Sequence, residues 1–339
     1  MKSNIPKYCF PSGETMRASV AAIALAIAAM AGATGTASAD TRRPVIRTDA
    51  SVTYKFTTLD NVNETTTPDP NFNQLLGINN HDIIAGYDGD GAVLPNKGFV
   101  LVPSNHYSSE NFPNSTQTQV IGINSLLDPV TVGFFIDTNG NNFGFTDITG
   151  TFVKVQNPLT GTSGGIKTNQ LLGVNDKNIA VGFYNDAKGN SHGYSYDIGK
   201  KEFIAVIFSE TGLTSFQATG INNDGVIVGF AVVNGVTIGF FGKNGAYTPV
   251  SFTGFSSVVL LGINNKGIAV GTITANGVSE GVVFDTTTNS GGVVNDPLST
   301  TKAAFGVNGT TINGINDAGD LVGFFSDGKK VHGFLAVPG

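Results

Sequence analysis

Asp137-Thr138-Asn139-Gly140-Asn141 sets three oxygen-bearing side chains at alternate positions. That spacing opens an EF-hand loop, whose first calcium ligands stand at positions one, three and five. Further on the pattern departs from it. Asn142 stands where the sixth-position glycine belongs, and Ile148 where the bidentate glutamate belongs. Asp137, Asn139 and Asn141 are thus the candidate calcium ligands, and no other metal or cofactor is expected. The same residue types also build solvated hairpin turns. Asp88, Asp90, Asp137, Asp186 and Asp327 all fall in segments read as turns between strands. Together they are the candidates for a ligand-binding face.

Catalytic constellations are sparse. His192 and His332 hold one repeat position, each before a glycine, which favours a structural role. His81 reads as a turn residue and His106 as a loop residue. There is no His-Glu-x-x-His, and the one cysteine, Cys9, lies near the N-terminus. Glycoside hydrolysis needs two carboxylates across a cleft. Glu64, Glu110, Glu202, Glu210 and Glu280 are scattered, and spacing alone brings no two of them together. No catalytic residue is assigned. The sequons at Asn63, Asn114 and Asn308 are of the kind an Asn- and Thr-rich chain carries by chance.

The elements that must position these residues repeat. Gly-Ile/Val-Asn recurs with its glycine at 77, 122, 173, 220, 262 and 314. The period, near 47 residues with only strand signals inside it, is that of a β-propeller blade. The fourth copy reads as strands over 216–222, 226–233, 236–243 and 246–252, with Asn-Gly hairpins at Asn234-Gly235 and Asn244-Gly245. Three residues after the repeated asparagine stands Gly225, Gly267 or Gly319, or else Asp82 or Asn178. These are the residue types that tolerate left-handed backbone. The second copy replaces this turn with a longer loop over 125–129. The repeated Asn79, Asn124, Asn175, Asn222, Asn264 and Asn316 suit Asx-type turns, or a ring of amides at one mouth of a channel.

Two further glycine columns lie inside the second and third strands of each copy. An aromatic residue follows in five of six copies of each column, and the fifth copy, with Thr272 and Val282, lacks both. Rings laid over these glycines would form core, and the paired loss suggests that the two columns meet. The last copy stops one strand short. Residues 52–60 precede the first copy without a blade of their own, so they are expected to complete the last blade and close the ring. The fold class expected is all-β, a six-bladed β-propeller closed by an N-terminal strand joining the last blade. The loops over 61–74, 106–119, 157–170 and 295–310 are expected to share a face with the second-to-third-strand turns, and function to sit on that face.

Residues 1–39 read as a signal peptide. Lys2, Lys7 and Arg17 precede an apolar run over 20–30, and Ala37-Ser38-Ala39 precedes Asp40. The run is too short to favour a membrane span. Residues 40–51 are expected to be a flexible segment and 52–339 the propeller. The whole chain carries a net charge of −6, and loss of a leader with three basic residues and one acid makes it −8. An acidic chain without basic runs argues against nucleic acid.

The units GINNDGVIVGF and HGFLAVPG resemble the HAF-repeat family of extracellular bacterial proteins, over about residues 52–339. That family is named for a His-Ala-Phe triplet after a Gly-Ile-Asn, Val-Gly hairpin. Here the triplet is His332-Gly333-Phe334 or His192-Gly193-Tyr194, and four copies lack the histidine. The resemblance implies a secreted propeller with no assigned activity, and the lack of a sorting tail after Gly339 favours free secretion. The expected function is a non-enzymatic binding or scaffold protein, extracellular or periplasmic, recognising a carbohydrate, a surface polymer or a protein. It is expected to be a monomer. The alternatives are a hydrolase or lyase acting on glycans or esters, and a structural envelope or matrix component.

Overall fold

The structure, a computed structural model, describes residues 45–47, 53–61, 71–91 and 95–339. The leader, most of 40–51, and Asn63 and Glu64 lie outside the described residues. Within the segment expected to be flexible, Val45–Arg47 adds a parallel strand to the outer edge of blade 5, beside Ser290–Val293.

Every named element is a strand. Blade 4 comprises Leu213–Ile221, Ile227–Val233, Val236–Lys243 and Ala246–Val250, joined in antiparallel order. Its hairpins turn on Asn234-Gly235 and Asn244-Gly245, all four residues at positive φ, as two-residue loops require. The other blades repeat this plan over 72–109, 117–155, 169–205 and 257–293. Blade 6 has Thr310–Ile315, Leu321–Ser326 and Val331–Pro338, and takes its fourth strand from Tyr54–Thr58. That strand runs antiparallel to the third, with Tyr54 opposite Pro338 and Thr58 opposite Phe334. The ring is therefore six-bladed and closed by the N-terminal strand.

The three glycine columns do three different jobs. Each glycine of Gly-Ile/Val-Asn lines the channel against its counterpart in the next blade. A Cβ on Gly122, for example, would sit 3.0 Å from the Gly173 Cα. The residue before it is a β-bulge in every blade, which twists the strand where six first strands converge. Second-strand glycines in blades 1, 2, 4 and 6 take the third-strand ring of their own blade. A Cβ on Gly229 would lie 2.7 Å from the Phe240 ring and 2.0 Å from the Gln217 carbonyl oxygen. Third-strand glycines admit apolar side chains of the next blade: Gly98 meets Val120, Gly239 meets Val258 and Leu260, and Gly193 meets Phe216. The columns do meet in register, as at Gly86–Phe99, but only one of them is covered from within the blade.

Two belts of hydrogen bonds run round the mouth formed by the first turns. In the inner belt each repeated asparagine does both things its sequence allowed. Asn222 Oδ1 accepts the N–H groups of Asp224 and Val226, closing its turn, while Nδ2 donates to the Asn264 carbonyl of the next blade. Asn79, Asn124, Asn175 and Asn264 make the same link to the following blade. At the closing joint Asn316 Nδ2 donates instead to Asp82 Oδ1 and Asp320 Oδ2. In the longer second-copy loop, Asn124 Oδ1 still accepts, from Val130 N–H. The outer belt uses the next residue. The N–H of Asn80, Ser125, Asp176, Asn223, Asn265 and Asp317 each donates to the side chain of the following member, Asp317 returning to Asn80.

Behind this mouth the Ile/Val positions narrow the channel, and a cavity of about 70 Å³ follows. The far side is covered by the loop before blade 6. Ala304 and Val307 pair across a Phe305-Gly306 turn. Both are buried in one apolar cluster with the channel residues Leu76, Ile121 and Leu172. Phe305 stands edge-on to Phe72 of blade 1 at 6.1 Å.

Candidate functional site

The turn carboxylates separate into two kinds. Asp88 was expected in a turn, but it lies inside the second strand of blade 1 and is 1% exposed. Its Oδ1 accepts from Asn61 Nδ2, so it secures the segment entering blade 1 and offers no surface to a ligand. Asp90 lies just past that strand. Asp137, Asp186 and Asp327 do occupy second-to-third-strand turns, as expected.

These three share one geometry. Asp137 Oδ1 accepts N–H from Asn139 and Asn141, and Oδ2 accepts from Asn141 Nδ2. Asp186 does the same with Lys188 and Asn190. Asp327 Oδ1 accepts from Lys329 and Lys330. Burial raises the carboxyl of Asp137, but the Asn141 and Asn139 hydrogen bonds, with Lys154, outweigh it and hold the group below its ordinary range. Asn141 Oδ1 accepts the Lys167 N–H. The side-chain oxygens of Asp137 and Asn141, two of the three expected calcium ligands, thus close the turn and tie it to the neighbouring loop. Among the described residues, no three His, Cys, Asp or Glu side chains converge as metal ligands.

Blades 3 and 6, which face each other across the ring, carry matching clusters. His192 Nε2 is 3.0 Å from Asp186 Oδ2, and its ring stacks on Tyr184 at 5.2 Å and 27°. His332 Nε2 is 3.4 Å from Asp327 Oδ2, and its ring stacks on Phe325 at 5.2 Å and 28°. The preceding loops match too. Asn157-Pro-Leu and Asp296-Pro-Leu both turn back on their first side chain, and Gly161 and Thr300 donate N–H to the carbonyls of Asn185 and Ser326. Leu159 and Leu298 project from these loops into solvent. The His192 hydrogen bond, aided by the turn N–H groups, holds Asp186 well below the ordinary carboxylate range. Burial, then Asp186, raises the Tyr184 phenol. The blade 3 cluster is the more open: the Asp186 and His192 side chains are both partly exposed, and the Tyr184 ring lies beside them.

At blade 6 the pattern gains a member. Asp60, from the closing strand, places Oδ2 2.7 Å from His332 Nδ1 and accepts the Gly333 N–H on Oδ1. Asn111 and Asn295 accept the corresponding glycine N–H in blades 1 and 5. An acid thus stands where those blades carry an amide. Asp60, chiefly, lifts the His332 imidazole above its ordinary value, against the opposing effect of burial.

Sequence reasoning linked the two histidines by their shared repeat position, but not to their carboxylates. The offsets, six residues from 186 to 192 and five from 327 to 332, span a hairpin whose length varies, so no fixed spacing announces them. It named Glu110 only among the scattered acids and did not name Asp147, which meets it between blades 1 and 2.

No protein-family model matches the chain, and no curated protein is similar to it in sequence. Solved structures share its fold. A lectin of Aleuria aurantia, in complex with Fucα1-6GlcNAc, superimposes with a TM-score of 0.51 at 9% identity, over 80% of this chain and 96% of its own. The lectin SapL1, in complex with α-methyl fucoside, gives 0.49 at 9% identity over 79% and 95%. TolB of Acinetobacter baumannii gives 0.44 at 13% identity over 81% and 66%. At these identities the likeness is one of fold.

Proposed function

We propose that this propeller is a secreted, non-enzymatic carbohydrate-binding protein, and that the blade 3 cluster of Tyr184, Asp186 and His192, with its blade 6 counterpart, supplies the sugar contacts. The observation that carries this reading is the co-location of an aromatic ring, an imidazole and an ionised carboxylate on the loop-bearing face, twice, in equivalent hydrogen-bond settings. Sugars present C–H faces that pack on aromatic rings and hydroxyl pairs that donate to carboxylates. A propeller lectin crystallised with a fucosylated sugar supports the compatibility of this architecture with such ligands. Two sites on opposite blades would suit a repeating polymer, where avidity multiplies a weak single contact.

A glycan and surface-polymer array probed with the purified protein tests this. Binding is expected to at least one glycan class, and to fall about tenfold or more in Asp186→Ala/His192→Ala, a loss of at least ~1.4 kcal/mol. A blank array, or binding that survives both this pair and Asp327→Ala, would sink the reading. Export is tested separately: N-terminal sequencing of the exported protein should begin at Asp40.

A further inference from the structure

Glu110 leaves the fourth strand of blade 1 and reaches across to blade 2. There its carboxylate accepts a hydrogen bond from the Thr131 hydroxyl. Thr131 stands directly opposite Asp147 in the antiparallel pair of second and third strands, so the two side chains share the face that Glu110 meets. Asp147 is 7% exposed, and its Oδ1 is buried without a hydrogen-bond partner. The hairpin N–H groups of Ile148 and Gly150 bond to the same carboxylate. No described lysine or arginine forms an ion pair with either acid.

Two carboxylates withdrawn from water, without a basic partner, are costly when both are ionised. Burial, and then the Asp147 charge, lifts Glu110 to about 7, against the Thr131 bond. Burial also raises Asp147. Among the described residues no basic side chain offsets this pair. A proton on Glu110 is one remedy. The donor set suggests another: two carboxylates and a hydroxyl, all oxygen and drawn from two neighbouring blades, form the ligand chemistry of a hard divalent cation.

We propose that Glu110, Asp147 and Thr131 bind a divalent cation, calcium in preference to magnesium, at the blade 1–blade 2 interface, with water completing its shell. Calcium is favoured because the ligands come from separate blades and need not meet octahedral geometry. The site is distinct from the Asp137 turn, whose oxygens are engaged with their own hairpin. It does not rest on sugar binding.

Thermal unfolding of the chelator-treated protein at pH 8, with calcium or magnesium added, tests it. Calcium at about 100 times its dissociation constant should raise the midpoint by roughly 5 °C. The rise should shrink at pH 5.5, where a proton occupies Glu110. It should vanish in Glu110→Gln and in Asp147→Asn and persist in Asp137→Asn. Without calcium, Glu110→Gln should melt above the parent at pH 8, because a buried like charge is gone. If Glu110→Gln does not fold, Asp147→Asn carries the comparison, and terbium luminescence on the parent reads binding directly. No calcium-dependent rise in the parent, or a rise that survives loss of either acid, overturns the proposal.

Discussion

His332 touches two carboxylates, and their effect on stability has a definite sign. Its pKa is raised in the folded protein, chiefly by Asp60. The pair's contribution is then complete below the unfolded value near 6.5 and disappears as pH rises through the higher folded value. The pair is half-buried, so about 1 kcal/mol is at stake. Melting curves from pH 5 to 9 should show the parent losing that margin on the alkaline side, with His332→Asn flattening this part of the profile. Asn264 carries more. Its side chain satisfies two partly buried turn N–H groups and one buried interblade carbonyl. Asn264→Ala should cost ~3 kcal/mol in denaturant titrations, and Asn264→Asp less, since the two acceptor bonds survive. The asparagine column was legible in the sequence because turn chemistry alone demands it. Its second bond, to the next blade, was not, since it joins residues 42 apart whose approach depends on the assembled ring.

At the scale of the strand, the glycines are constrained by what lies over them. A Cβ on Gly182 would stand 1.9 Å from the Gln170 carbonyl oxygen, which backbone cannot yield easily. Gly182→Ala should therefore destabilise by ~3 kcal/mol, beyond a simple propensity change. Gly245, at φ 82° with nothing within 4 Å, should cost only ~1 kcal/mol when changed to alanine, from backbone strain alone. Thermal midpoints of the two variants separate these cases. Strand limits and hairpins followed closely from alternation and Asn-Gly pairs. Asp88 did not, because it sits among turn-forming residues in sequence while the strand continues through it to Gly89. Its partner Asn61 arrives from the far side of the closing joint, which no local pattern reveals.

At the scale of the molecule, closure rests on Tyr54–Thr58 against Val331–Pro338, the Asp60–His332 contact, and a parallel bridge from Val331 to Phe72. Removing residues through Asp60 would bare a full-length strand edge, a template for pairing with another chain. Size-exclusion chromatography of that truncation should show dimers or larger species, where the intact chain elutes as one sharp peak. The ring was readable because the last repeat lacks a strand and an unassigned one precedes the first. The hairpin over 304–307 was not, since a loop that covers the channel has neither period nor fixed length to betray it.

The closing joint also imposes an order of assembly. Asp60 and His332 are separated by 272 residues, so a strand made early must wait for one made much later. Until then five blades can gather while the sixth has no outer strand, and the nascent protein is an open arc. Hydrogen-exchange labelling during synthesis should find amides of 54–58 unprotected until residues 331–338 have emerged, and protected together with them afterwards.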